Sequence, residues 1–160
     1  MANAKPSANG RRVLAQNRKA RHDYEVLDTL ETGIVLVGTE VKVLREGKGG
    51  LSGAFASVEH DGQLWLHGVT IPPYSFGNRF NHDSSRDRKL LAHAREIRRL
   101  RAAVEQKGNT LVPLSLYMVR GRVKVEIAIC KGKNAVDRRE TIRRREVDRD
   151  IRREVARHYR

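Results

Sequence analysis

The chain has 160 residues, 39% of them hydrophobic, enough for one core of ordinary size and too few for two. Lys and Arg number 33 against 19 Asp and Glu, a formal net charge of +14 and a pI near 10.7, which points to a polyanionic partner, nucleic acid first and an anionic membrane surface second. A single cysteine, Cys130, excludes an intrachain disulfide and a Cys-rich zinc site and suits a reducing, cytoplasmic setting. The first 21 residues lack the apolar stretch of a secretory signal, and the longest aliphatic run, about Ile34 to Val37, falls far short of the roughly 20 residues of a membrane span.

The charge is concentrated at the ends. Residues 1–21 carry six bases and no acid, and residues 131–160 carry 12 bases and 6 acids, so each end is +6 while 22–130 is only +2. This predicts an ordinary folded domain between two basic arms that order against phosphates. The boundaries expected from the pattern are an N-terminal arm over 1–12, a domain over 13–130 and a tail over 131–160.

Within the domain, Tyr24–Leu30 alternates apolar and polar residues, and Thr32-Gly33 then punctuates the chain before Ile34–Val37, which predicts two strands and a tight turn. Thr39 can cap a short helix carrying Val41 and Leu44, ended by the glycines at 47, 49 and 50. Runs around Phe55 and Leu64 flank Asp61-Gly62, the signature of a hairpin with a two-residue turn. Residues 72–87 are rich in Pro, Gly, Asn and Ser without periodicity and read as a long surface loop. Leu90, Leu91, Ala94, Ile97, Leu100 and Val104 recur at helical spacing, predicting a helix over roughly 88–106 with Ser85 or Asp87 as cap. Thr110–Val119 and Arg122–Lys131 form a second hairpin around Arg120-Gly121, with Val123, Val125, Ile127 and Ile129 alternating against a wet face. In the tail, Ile142, Val147, Ile151, Val155 and Tyr159 fall near one stripe. That stripe is too thin to hold an isolated helix, so the tail is expected to be largely disordered alone and helical when docked; permanent packing on the body is the alternative.

About six antiparallel strands with one long and one short helix predict a mainly β fold, an oligonucleotide-binding (OB-like) barrel closed against sticky edges. Six histidines occur without an HExxH or paired Cys ligands, Gly47-Lys48-Gly49-Gly50 lacks Walker spacing, and no nucleophile elbow or acid pair stands out. No metal, cofactor or catalytic residue is therefore expected. Phe55, Trp65, Tyr74, Phe76, Phe80 and Tyr117 could stack bases, but only 5% of residues are aromatic and the core claims most of them, which favours recognition of folded RNA by shape and phosphate. A general RNA chaperone, a ribosomal protein and a peripheral membrane protein using 137–160 as an amphipathic helix compete with this reading, although the tail stripe is poor in Leu, Phe and Trp.

Six motifs carry a family resemblance: Asn17-Arg18-Lys19-Ala20-Arg21-His22-Asp23-Tyr24, Leu30-Glu31-Thr32-Gly33, Gly38-Thr39-Glu40-Val41-Lys42-Val43-Leu44-Arg45, Arg88-Lys89-Leu90-Leu91, Leu114-Ser115-Leu116-Tyr117 and Lys131-Gly132-Lys133. In order and spacing, over about 13–160, they resemble the small protein B family, the SsrA-binding proteins of ribosome rescue (trans-translation). The resemblance implies an OB-like body gripping the tRNA-like domain of transfer-messenger RNA, with elongation factor Tu and GTP on the same RNA and the small ribosomal subunit as a partner. It places Glu31, Leu91 and His93 in the RNA-binding surface, with His22, Lys89 and Lys124 beside them and Arg18, Lys19 and Arg21 in the first motif. Glu31 would then accept hydrogen bonds from base edges or 2′-hydroxyls, or orient a basic neighbour. The resemblance also implies that the tail, through Lys131, Gly132, Lys133, Asp137, Arg138 and Arg139, enters the decoding centre and the empty mRNA channel of a stalled ribosome, with Gly132 as a hinge and Val136 standing where the family often has an aromatic residue or His.

Overall fold

The computed structural model of the protein describes residues 10–77, 81–132 and 135–158, with side chains described for all of these except 135–138, 140 and 141. Alternation in the two longest β-rich runs dictates the centre of the fold. β6 (Asn109–Val119) and β7 (Arg122–Gly132) pair along their whole length around Arg120 and Gly121, both at positive φ. Leu116, Val125 and Ile127 are fully buried, whereas Lys124 and Glu126 face outward. The expected wet face is dry at one end: Val112, Leu114, Ala128 and Cys130 pack beneath Ala20 of the short helix α1 (Arg18–Asp23). Burial there pushes the Cys130 thiol up to about 11.

Seven antiparallel strands and four helices are present among the described residues, against the six strands and two helices expected. The additions come first in the chain. β1 (Arg12–Gln16) and α1 fall at the start of the domain expected over 13–130, in the basic stretch where cations mask the apolar Val13, Leu14 and Ala15. β1 pairs with β6, and Asn17 fixes the corner that follows: its Oδ1 accepts from Ala20 N at 3.2 Å, and its Nδ2 donates to Pro113 O at 3.1 Å. Pro113 has no N–H to give the ladder and sits at a register shift in β6, where its carbonyl serves that anchor.

Thr32-Gly33 is not a turn. β2 runs unbroken from Tyr24 to Ile34, because β7 on one edge and β5 (Arg88–Leu91) on the other supply partners through Gly33. The helix expected from residue 88 starts at Ala94 instead: α3 spans Ala94–Glu105, with Leu100 fully buried, and its N-cap is His93 rather than Ser85 or Asp87. Leu90 and Ala94 fit a helical stripe by coincidence, since Arg88 and Leu90 are buried with the period of a strand. Val37, not Thr39, caps α2 (Gly38–Arg45), its N–H donating to Glu40 Oε1 at 3.0 Å. β3 (Phe55–Val58) and β4 (Leu64–His67) form the expected hairpin, closed by the longer loop of His60, Asp61 and Gly62 between the paired Glu59 and Gln63.

The pairings β6–β3, β3–β4, β4–β5, β5–β2, β2–β7 and β7–β6 return to the strand where they began, and β1 flanks β6. Inside the circuit, Leu64, Leu66, Leu90, Leu111, Leu116 and Ile127 meet Leu44 from α2 and Leu100 from α3. α4 (Ala135–His158) follows β7, which extends through Lys131 and Gly132. The described stripe residues Ile142, Val147, Ile151 and Val155 are exposed, so this face is not packed on the body. No helix among the described residues is long and apolar enough to cross a membrane.

Candidate nucleic-acid interface

One open depression, about 400 Å³, is lined by Glu31 and Gly33 from β2, Leu91 from β5, Ala92 and His93 before α3, Glu96 within it, and Lys124 from β7. Strand register explains the convergence. Gly33 is the Cα partner of both Leu91 and Lys124, and Lys124 in turn pairs with Tyr117. A Cβ built on Gly33 would stand 3.2 Å from Leu91 Cβ, so the glycine's role here is close approach, with ordinary strand φ. Leu91 is left half exposed as an apolar surface beside polar groups. Lys89, two residues earlier, shares its outward face while Arg88 and Leu90 point inward.

Glu31 is held from behind. The Tyr117 hydroxyl and Arg11 Nη2, the latter at 3.2 Å, both donate to Glu31 Oε2, and the Arg11 guanidinium lies 4.7 Å from the Tyr117 ring centre. Burial first, then the Glu31 carboxylate, raises the Tyr117 pKa far above its usual range, so the phenol stays a donor. Glu126 is the Cα partner of Glu31 across β2–β7, an arrangement of like charges that Arg11 offsets. With both donors on Oε2, Oε1 remains an acceptor at the depression, suited to an amino group or a 2′-hydroxyl. His93 donates its backbone N–H to Glu96 at 3.0 Å, which caps α3, while its own side chain is exposed.

The expected site residues form two groups rather than one. Glu31, Lys89, Leu91, His93 and Lys124 gather at one end of β2. Arg18, Lys19, Arg21 and His22 lie on α1 at the other end, where His22 Nδ1 is 2.9 Å from Asp23 Oδ1 and Lys131 and Gly132 pair with Glu25 and Tyr24. Gly33 lies nine positions after Tyr24, roughly 30 Å of strand. Lys133, and Phe80 of the aromatic candidates, lie outside the described residues, and Asp137 and Arg138 are described in backbone only. Arg139 is exposed on α4. Tyr117 belongs to the core, but Phe55 and Phe76 do not; they are 49% and 83% exposed.

Arg11, Tyr117 and Gly33 are the supporting residues that residue patterns missed. A further pair, Glu40 with Arg88, is wholly buried and joins α2 to β5 at 2.6 Å. Ser57, His67 and Asp87 stand in a row, with His67 Nε2 2.7 Å from Ser57 Oγ and Nδ1 2.9 Å from Asp87 Oδ1, but Ser57 Oγ also donates to Glu59 at 2.8 Å, which commits its proton to a carboxylate.

Cations around an acid with a spare acceptor oxygen, beside an exposed leucine on a circuit of antiparallel strands, define a basic, mainly antiparallel β-protein with a cationic face. A family model described as "SmpB protein" matches residues 14–157, and the chain belongs to that family. It is 54% identical over 145 residues to a protein of Corynebacterium jeikeium named SsrA-binding protein, covering 91% of this chain and 78% of the relative. SsrA-binding proteins of Nocardia farcinica and Levilactobacillus brevis are each 53% identical, the first over 92% of both chains and the second over 99% of this chain and all of its own. A solved structure described as "tmRNA-SmpB: a journey to the center of the bacterial ribosome" matches with a TM-score of 0.64 and 53% identity, over 75% of this chain and 84% of that one.

Proposed function

We propose that this protein is an RNA-binding adaptor of ribosome rescue, not a catalyst: it holds the tRNA-like domain of transfer-messenger RNA, works in the cytoplasm with elongation factor Tu and GTP on the same RNA, and carries that RNA to stalled ribosomes. The single observation that supports this most is the convergence of Glu31, Leu91, His93 and Lys124 in one depression, in a chain half identical to named SsrA-binding proteins. On this reading the six strands that close on themselves are an OB-like barrel with β1 on its flank. Glu31 Oε1 accepts from a base edge or 2′-hydroxyl, Leu91 covers an unstacked base, His93 donates and accepts, and Lys89 and Lys124 neutralise phosphates. α4 is the docked form of the tail, with Lys131, Gly132 and Lys133 at its root and Asp137, Arg138 and Arg139 in its first turns at the decoding centre; free in solution it populates the helix only in part.

The test is titration against transfer-messenger RNA and an ordinary tRNA over a range of salt. Each neutralised phosphate steepens the dependence of log affinity on log salt by roughly 0.9, so a steep slope is expected for both RNAs, with a preference for transfer-messenger RNA that persists at high salt. Equal affinity throughout would leave only a general RNA binder. A second expectation concerns Gly33. Gly33→Ala should fold, but the 3.2 Å approach to Leu91 Cβ must relax by a few tenths of an ångström, and affinity for the tRNA-like domain should fall several-fold while the salt slope stays unchanged. Unchanged affinity in Gly33→Ala would place Leu91 outside the interface.

A further inference from the structure

A second cavity lies far from Glu31, at the α1 end of β2. It is about 370 Å³, more enclosed than the depression above, and is bounded by Lys19, Ala20 and Tyr24 on one side and Ala54, Phe55 and Val112 on the other. Its size is at the low end of small-molecule sites, enough for one nucleoside and too small for a duplex. The floor is apolar: Ala20, Ala54 and Val112 are buried. Phe55 is 49% exposed at its mouth, with its ring centre 5.0 Å from that of His67, an arrangement that holds the ring in place while leaving surface uncovered. Thr110 adds a hydroxyl and Asp23, paired with His22, a carboxylate to the lining, and the exposed Lys19 of α1 adds positive charge at the rim.

An apolar floor, an exposed aromatic at the mouth and a lysine beside it match a nucleobase with its phosphate better than they match a peptide or a lipid chain. Stacking supplies affinity whatever the base, and the lysine takes the backbone phosphate. We propose that this cavity seats one unstacked nucleobase of an RNA, stacked on Phe55 with its phosphate on Lys19. The proposal rests on the reading of the chain as an RNA-binding adaptor and adds a second contact to it. The two ends of β2 are roughly 30 Å apart, so the base comes from a different RNA element than the one at Glu31.

The experiment is an NMR titration of the full chain with adenosine 5′-monophosphate and, in parallel, ribose 5-phosphate, following the rings of Phe55 and Tyr24. The nucleotide should shift both rings saturably, and the sugar phosphate should not. Phe55→Leu, which keeps apolar bulk at an exposed position and so leaves the fold intact, should weaken nucleotide binding roughly ten-fold. Lys19→Ala should weaken it less and remove most of its salt dependence. Rings that do not respond, an equal response to ribose 5-phosphate, or an unchanged affinity in Phe55→Leu would each overturn the proposal. Transfer-messenger RNA titrated against Leu91→Ala in the same buffers keeps the two readings apart. If Leu91→Ala weakens that complex while Phe55 is silent, the adaptor stands and the base seat falls.

Discussion

Replacing Arg88 by methionine should remove about 3–5 kcal/mol of stability in urea unfolding, the largest single-residue loss in the body. Arg88 is wholly buried, with Nε 2.6 Å from Glu40 Oε2, and its Nη1 donates to the carbonyls of Val69 and Arg86 at 2.8 and 2.9 Å. Methionine fills much of the volume but leaves the buried Glu40 with Arg86 as its remaining cation and strands those carbonyls. The double variant Glu40→Gln, Arg88→Met should be less destabilised than Arg88→Met alone, because no buried charge is left without its partner. Strictly additive losses would show that the two side chains act independently.

The same pair sets the acid limit. Burial pushes the Glu40 carboxyl upward, but hydrogen bonds from Arg86, the Val37 N–H and Arg88 outweigh it, so the folded group titrates below its ordinary 4.5. A lowered folded value stabilises the protein fully above pH 4.5, and that contribution disappears as pH falls through the folded value. Removing Arg88 takes away one of the lowering groups, so the acid limb of the stability curve should move to higher pH in Arg88→Met.

These residues show what can and cannot be read from a chain. Glu40 and Arg88 stand 48 positions apart in two separate motifs, and nothing local marks either as buried. Local period is also ambiguous where a strand runs into a helix: Leu90 to Leu100 fits a helical stripe, yet Arg88–Leu91 is held extended by β2 and β4. Gly33 carries two plausible meanings, turn or close approach, and only its two cross-strand partners decide between them. The long hairpin, the loop over the described residues 72–77 and 81–87 and the short helix after Val37 are legible because strong alternation and Pro- and Gly-rich punctuation are local signals. Motif resemblance located Glu31, Leu91, His93 and Lys124, whereas the Arg11 and Tyr117 that aim Glu31 depend on β1, a strand hidden by the charge around it.

Deleting residues 134–160 should leave affinity for the tRNA-like domain within roughly three-fold at physiological salt and abolish tagging on stalled ribosomes. The segment carries 10 bases and 6 acids, so its loss removes a net +4 and some non-specific attraction, but no residue of the Glu31 depression. Its helix has little to hold it alone: Ile142, Val147, Ile151 and Val155 are exposed, and Arg153–Asp150 is a 3.9 Å pair more than 70% exposed on both sides, worth next to nothing. On the proposed function a partner covers that stripe, and folding and docking are one event. Val147→Pro separates helix from charge, since it keeps every Arg while breaking the helix interior at about 3 kcal/mol. Tagging should then fall at least ten-fold with RNA affinity unchanged. Full tagging by Val147→Pro would mean that the tail works as an extended cationic strand.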